Sequence, residues 1–277
     1  MPGDVKREYT NFLNALIEEF YSNYAESETP YEMPLIGFSS GSDKIFDFFK
    51  NDIGGFYWTP KEAFRHEYGD SNTDKLSVVS FVFPQRIETR IANLNEEHYA
   101  SRLWSNNRIY GQKFIDMLLE FLVNKLNRRN IKTMCPSLSE NWSYHESDKY
   151  GYASSWSERH TAFACGLGTF GLCDGLITSV GKAHRCGSII SEVELTYSVR
   201  KYVSHHEYCL FYSDGTCNDC IRRCPVGAIS EQGHDKLKCR AYQRNVIKPY
   251  TEKHYEVASS SCGLCQVGVA CEFKVPT

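Results

Sequence analysis

No run of the chain approaches the roughly 18 consecutive apolar residues that a bilayer-spanning helix requires, so no membrane segment is expected. The opening MPGDVKREYTNFLNALIEEF has no apolar core followed by a cleavage site, and a cytoplasmic protein is the expectation. Basic charge is not in excess: 31 Lys and Arg stand against 34 Asp and Glu, a formal net charge of -3. A chain so balanced carries no signature of a phosphate-backbone binder. Low-complexity linkers and internal repeats are missing, and cysteine does not occur before Cys135. What is present is enough apolar material for a sizeable core, 42% of 277 residues, and 12 cysteines crowded between Cys135 and Cys271. A reducing compartment disfavours a disulfide framework, which leaves metal ligation as the natural reading of that number.

The apolar pattern changes period along the chain. Tyr9, Phe12, Leu13, Leu16, Ile17, Phe20 and Tyr21 recur at helical spacing, as do Phe114, Ile115, Leu118, Leu119, Leu122 and Leu126. Between these helices LSVVSFVFP, from Leu76 to Pro84, is short, β-branched and aromatic, and reads as a buried strand. Further strands are expected at Gly175 to Val180 and at Ile189 to Tyr197. Interleaved helices and strands predict a sheet covered by helices over residues 1–200, an α+β arrangement, followed by a smaller cysteine-bearing module over 201–277.

Four cysteines, Cys135, Cys165, Cys173 and Cys186, are scattered and read as small buried hydrophobes, with Cys165 set apart by its glycine-rich turn. The other eight lie between Cys209 and Cys271. Cys217-x2-Cys220-x3-Cys224-Pro225 matches the last three cysteines of the bacterial ferredoxin run C-x2-C-x2-C-x3-C-P, and Pro225 can open a helix over Val226 to Ile229. Cys262-x2-Cys265-x5-Cys271 is a looser second run, with Glu272 where proline is expected. Crossed ligation, in which the cysteine before proline serves the neighbouring cluster, gives Cys217, Cys220 and Cys271 to one [4Fe-4S] cluster and Cys224, Cys239, Cys262 and Cys265 to the other. The first set needs a fourth ligand. Cys209 is favoured over Asp214, with His205 and His206 as outside candidates. Paired CxxC segments also hold structural zinc, which is the competing reading.

The stretch from Glu158 to Gly171, ERHTAFACGLGTFG, resembles the E-R-x-x-A-x-x-A-G-L-G-x-x-G stretch of epoxyqueuosine reductases, and Arg108-Ile109-Tyr110 resembles the Arg-Asp-Tyr segment before a long helix in that family. Order and spacing continue into the cysteine module, so the resemblance covers nearly the whole chain. Reductive dehalogenases share the arrangement more distantly. The resemblance implies a nitroreductase-like cobalamin-binding domain followed by a ferredoxin-like module with two [4Fe-4S] clusters that reduce the corrinoid for removal of oxygen or halide from an organic substrate.

It also implies site residues. Glu158, Arg159, Ala164, Cys165, Gly166, Leu167, Gly168, Thr169 and Gly171 would line the corrinoid, the glycines letting backbone lie close to a flat macrocycle. The chain has no D-x-H-x-x-G motif to supply a lower cobalt ligand. Where that family has an aspartate as proton donor, six residues before the Glu-Arg pair, this chain has Tyr152, which can serve as an acid; Tyr110 is a second candidate. With the aspartate replaced, and with the helical repeats that grip tRNA not following Cys271, tRNA is not the expected substrate. A small molecule or a corrinoid-bearing partner is, with a low-potential donor such as a ferredoxin or flavodoxin. The alternatives are an epoxyqueuosine reductase proper and an electron-transfer protein without a substrate of its own.

Overall fold

A strand that is apolar on both faces has to sit inside a covered sheet, and every residue of Leu76–Pro84 is buried. The computed structural model describes residues 2–24, 29–71 and 73–277. In chain order it begins with helix α1 (Pro2–Asn23), strand β1 (Leu35–Ser40), helices α2 (Lys44–Ile53) and α3 (Pro60–Tyr68), strand β2 (Leu76–Pro84) and helices α4 (Ile87–Leu94) and α5 (Arg102–Asn106). A π-helical turn over Asn107–Gly111 leads into the long helix α6 (Gln112–Asn127). Strand β3 (Thr133–Met134), the hairpin of β4 (Tyr144–Ser147) and β5 (Gly151–Ser154), helix α7 (Glu158–Ala164), the hairpin of β6 (Gly168–Phe170) and β7 (Leu176–Thr178), and strand β8 (His184–Glu192) follow. The remainder holds only short elements: α8 (Leu210–Ser213), α9 (Asp219–Arg222), a small hairpin of β9 (Ile229–Ser230) and β10 (Gly233–His234), α10 (Lys236–Tyr242), a second π turn over Gln243–Ile247, and α11 (Lys248–Tyr255).

The central sheet has the order β1-β2-β8-β3 and is antiparallel throughout. Alternation along β2 divides its side chains between two cores. Val79, Phe81 and Phe83 meet Leu13, Leu16 and Ile17 of α1 and Phe114, Ile115, Leu118 and Leu122 of α6. On the other face Leu76 and Val78 meet Phe46 and Phe49 of α2, Ala63 and Phe64 of α3, Trp156 and Ala164. Each such fully buried side chain contributes about 1.5–3 kcal/mol relative to its exposed state. Local signals start the helices: Thr59 and Glu62 form a reciprocal capping box at α3, where Pro60 opens the first turn.

Two expected elements differ. The strand expected at Ile189 to Tyr197 begins earlier and stops at Glu192, because β2 runs out: Leu76, its first residue, pairs with Glu192. Beyond that point the chain turns, with Leu195 N–H donating to Ser77 Oγ. The helix expected over Val226 to Ile229 does not form. Gly227 adopts φ +60, which ends any helical run, and Ile229 pairs with His234 in the small hairpin.

The cysteine-bearing segment is packed onto the rest rather than hung from it. Gly263 (φ +68) lies flat against the Trp104 indole, Gly181 against the Glu272 backbone, and Arg223 donates to the carbonyl oxygens of Asn93 and Leu264. A Cβ at Gly263 would come within 2.0 Å of the indole. Gly263→Ala is therefore expected to lower unfolding stability by about 1–3 kcal/mol, the usual cost of overpacking, with the left-handed backbone strain added. The urea midpoint of the apoprotein measures this. Val203→Ala, at a fully exposed position, is expected to stay within about 0.5 kcal/mol.

Candidate metal centre and the polar face beside it

Cys209 follows a loop anchored on the β6 hairpin, where Tyr208 N–H donates to Thr169 Oγ1. The carbonyl of Cys209 accepts the first turn of α8, which returns the chain to Cys217 at the start of α9. Cys271 is brought in from the other side by Lys182 N–H, which donates to its carbonyl oxygen at 2.9 Å. The result is that Cys209, Cys217, Cys220 and Cys271 together line one small cavity of about 20 Å³, whose walls include Leu172, Ile177, Phe211 and Val269. The other candidates for the fourth position are occupied otherwise. Asp214 accepts from Thr216 N–H and Oγ1 in a local turn, His206 Nδ1 lies 2.8 Å from the Phe170 carbonyl oxygen, and the His205 ring packs on the His206 ring with centroids 4.1 Å apart.

Cys224, Cys239, Cys262 and Cys265 form a second neighbourhood. Cys224 and Cys239 both act electrostatically on Cys262, and Cys262 acts on Cys265. Backbone and side-chain donors point at the sulfurs: Ala228 N–H at Cys224 Sγ (3.2 Å) and Gln243 Nε2 at Cys239 Sγ (3.1 Å). Such donors stabilise a thiolate or a cluster sulfur more than a thiol. Burial pushes the Cys262 thiol up to about 12 and Cys271 to about 11, so iron must displace protons to bind them. Among the described residues no three His, Cys, Asp or Glu side chains meet the geometry of a single metal ion. The chemistry of the donor sets, four thiols around a space in one and four mutually interacting thiols in the other, fits polynuclear iron-sulfur centres, which spread their ligands over separate irons.

Cys173 is a correction. Read as inert, it lies between the two sets, with its sulfur in hydrogen-bonding reach of Cys220 from the first and Cys265 from the second, and Lys182 Nζ at 3.3 Å. Hydrogen bonds from those two thiols, more than the lysine charge, hold its pKa well below the ordinary thiol value despite burial. Burial alone would lower the pKa of Lys182; the sulfurs of Cys173, Cys271, Cys265 and Cys220 outweigh that and raise it. Neither residue has a spacing that a motif could reveal, since both come from the turns around the β6–β7 hairpin.

The glycine-rich run is used by the chain itself. Gly168 faces the Ile177 carbonyl, where a Cβ would come within 2.1 Å, and Gly171 also packs on Ile177. Gly166, at φ +79, is covered by Ser198 and Val199, and Gly37 of β1 leaves room for the Cys165 carbonyl. Ala164, Cys165 and Thr169 are buried, Leu167 packs in a small core with Val82 and Leu176, and Arg159 reaches outward to the Asp174 carbonyl. These residues bring strands together.

Glu158 is the exception in that run. Both its carboxyl oxygens are buried without a hydrogen-bond partner, although the hydroxyls of Ser188 and Ser137 lie nearby, and burial raises its pKa to about 7. Asp116 acts on it and heads a polar chain: Gln112 Nε2 donates to Asp116 Oδ1 (2.8 Å), and Arg185 donates twice to Gln112 Oε1 (3.1 and 2.6 Å). Arg108, on the first π turn, acts on both Asp116 and Tyr144. Tyr144 stacks on Tyr152 with ring centroids 4.6 Å apart, and the Arg240 guanidinium covers Tyr152 at 3.8 Å. Burial, then the hydrogen bond with Tyr144, raise Tyr152 to about 12, so its phenol keeps its proton. Tyr110 is half exposed under the Lys113 ammonium. Sequence reasoning missed Gln112, Asp116 and Arg185, which look like ordinary surface residues of a helix and a strand.

Glu158 ties stability to pH. Its folded-state pKa lies above the unfolded value of 4.5, so the stabilisation is complete below pH 4.5 and is lost as pH rises to about 7, a fall of about 3 kcal/mol. Glu158→Gln is expected to flatten that part of the pH-stability curve, as measured by urea unfolding of the apoprotein between pH 5 and about 8.

No protein-family model matches the chain. No curated protein matches it by sequence. Among solved structures, the epoxyqueuosine reductase of Streptococcus thermophilus aligns over 95% of this chain and 66% of its own, with 15% identity and a TM-score of 0.48. That of Bacillus subtilis aligns over 93% and 64%, with 16% identity and a TM-score of 0.44. The catabolic reductive dehalogenase NpRdhA, in complex with 3-bromo-4-hydroxybenzoic acid, aligns over 88% of this chain and 30% of its own, with 11% identity and a TM-score of 0.52. The chain thus spans just under two thirds of those epoxyqueuosine reductases and less than a third of the dehalogenase, and with the dehalogenase it shares a fold.

Proposed function

We propose that the protein is an iron-sulfur reductase that carries two [4Fe-4S] clusters and passes their electrons to an acceptor held on the polar face around Glu158 and Tyr152. The observation that carries the reading is the cavity that gathers Cys209 with Cys217, Cys220 and Cys271, beside a second set of Cys224, Cys239, Cys262 and Cys265. When bound, the clusters supply one-electron steps at low potential. Electrons enter from a small donor of the ferredoxin or flavodoxin kind at the first set and leave through the second. Helix α10 supports that exit, since it carries Cys239 next to Arg240, and Arg240 covers Tyr152.

Cobalamin is the acceptor that the shared fold puts forward, for reductive removal of oxygen or halide from an organic substrate. Supporting it are the unpartnered Glu158 carboxyl group, which waits for a donor, and Tyr152, which holds a proton to give. The packing of Gly166 and Gly168 on neighbouring backbone supports a second reading, an electron-transfer protein that serves a partner.

Anaerobic reconstitution tests both parts. The unsubstituted protein is expected to hold about eight irons per chain, two clusters of four. Cys209→Ser is expected to hold about half of that, and Asp214→Asn all of it. Equal loading of the Cys209 variant would remove Cys209 from the ligand set, and a colourless, iron-free protein would sink the cluster reading. Cobalamin titrated into the loaded protein is expected to bind with a visible spectral shift, weakened by about tenfold or more in Glu158→Gln if that carboxyl makes one charged hydrogen bond worth roughly 1.5–3 kcal/mol. No binding with both clusters intact would leave the electron-transfer reading.

A further inference from the structure

Lys182 is 2% exposed and fixed from both ends. Its backbone N–H donates to the Cys271 carbonyl, and the preceding Gly181, at φ +82, is pressed so closely on the Glu272 backbone that a Cβ would come within 2.0 Å. The ammonium ends 3.3 Å from Cys173 Sγ, and Cys173 touches Cys220 of one thiol set and Cys265 of the other. The groups that bear on this cation are sulfurs, with no carboxylate among them. An ammonium buried among sulfurs rather than carboxylates is costly unless those sulfurs carry charge, and a methionine of similar length would fill the same space without that cost. The position makes sense where negative charge collects on the sulfurs around it.

Thiolate-ligated [4Fe-4S] clusters carry net negative charge that grows by one on reduction. A cation fixed between two of them, away from water, favours the reduced form of each and offsets the repulsion that the first electron imposes on the second. We propose that Lys182, seated on Cys173, is a positioning residue that raises the reduction potentials of both clusters and holds them close enough in potential to exchange an electron. The inference rests on the two-cluster reading. In the step it serves, one electron leaves the reduced donor and converts one ferric equivalent of the first cluster to ferrous. The same electron then reduces the second cluster as the first is reoxidised, with no bond broken and no proton moved.

Potentiometric titration with dithionite, followed by electron paramagnetic resonance, tests this on the reconstituted full chain after iron has been counted. Lys182→Met is expected to keep its iron and to lower both midpoint potentials by at least a tenfold change in the reduction equilibrium, 59 mV for one electron. Lys182→Arg, which keeps the charge, is expected to stay near the unsubstituted values. Cys173→Ala keeps the cation and removes the sulfur charge that offsets it, and is expected to shift both potentials upward; it is the variant to read if Lys182→Met fails to load. Unchanged potentials in a fully loaded Lys182→Met, or in Cys173→Ala where that one is read, would overturn the inference, as would a shift confined to one cluster. Failure of the unsubstituted protein to take up iron would instead fail the two-cluster reading itself.

Discussion

The seam that gathers nine cysteines, four of them buried, and one buried ammonium is the constraint on which the rest depends. The sheet and its helices have ample apolar packing of their own, with cores on both faces of β2. The segment after residue 201 has not: α8 and α9 are four residues each, and β9 and β10 two each. Elements that short do not persist on local energy. They are held by what they close over, namely the thiols, the Trp104 and Gly181 contacts, and a few buried backbone hydrogen bonds. Free thiols pack as small hydrophobes, but a lysine among them does not, so the seam makes physical sense as a container for charge.

Where one periodicity dominated, the fold was legible in the sequence. The α1 and α6 stripes each face one core and the apolar run of β2 is buried on both faces, and the structure uses them as their spacing predicts. The end of β8 was not legible, because Val193 to Tyr197 has strand composition and only the finite length of β2 denies it a partner. Local composition cannot report where a neighbouring strand stops. The absent helix after Pro225 has a related cause: proline favours a helical start, but Gly227 and the β9–β10 pairing decide the outcome.

The site divides in the same way. Cysteines two or three residues apart on a turn announce themselves by spacing. Cys209 had to be inferred from a count, and Cys173 and Lys182 could not be seen, because their relation to Cys220 and Cys265 exists only after the β6–β7 hairpin has been laid against the C-terminal segment. The glycine run shows the reverse. Its spacing was clear, but spacing alone does not say whether the surface left open by a missing Cβ faces a ligand or another strand. Here Gly168 and Gly171 face Ile177, and Gly166 faces Val199. Glu158 stands in the same run with an unpartnered carboxyl group, so the run contains one residue with an unmet chemical need and several whose needs are met.

The two π-helical turns connect these observations. A π turn costs hydrogen-bond quality and is found mostly where a side chain has to be placed off the regular helical grid. One carries Arg108 and Tyr110 into α6, on the side of Asp116 and Tyr144. The other follows α10 and carries Gln243, which donates to Cys239, and Arg244, whose charge acts on Tyr152. The Tyr144–Tyr152 stack thus has Arg108 bearing on it from the sheet domain and Arg240 and Arg244 from the cysteine segment. Helix α10 carries Cys239 and Arg240 on adjacent residues, so the second thiol neighbourhood and the Tyr152 ring share one short element, and a charge placed at the cysteine lies close to the cation that covers the ring.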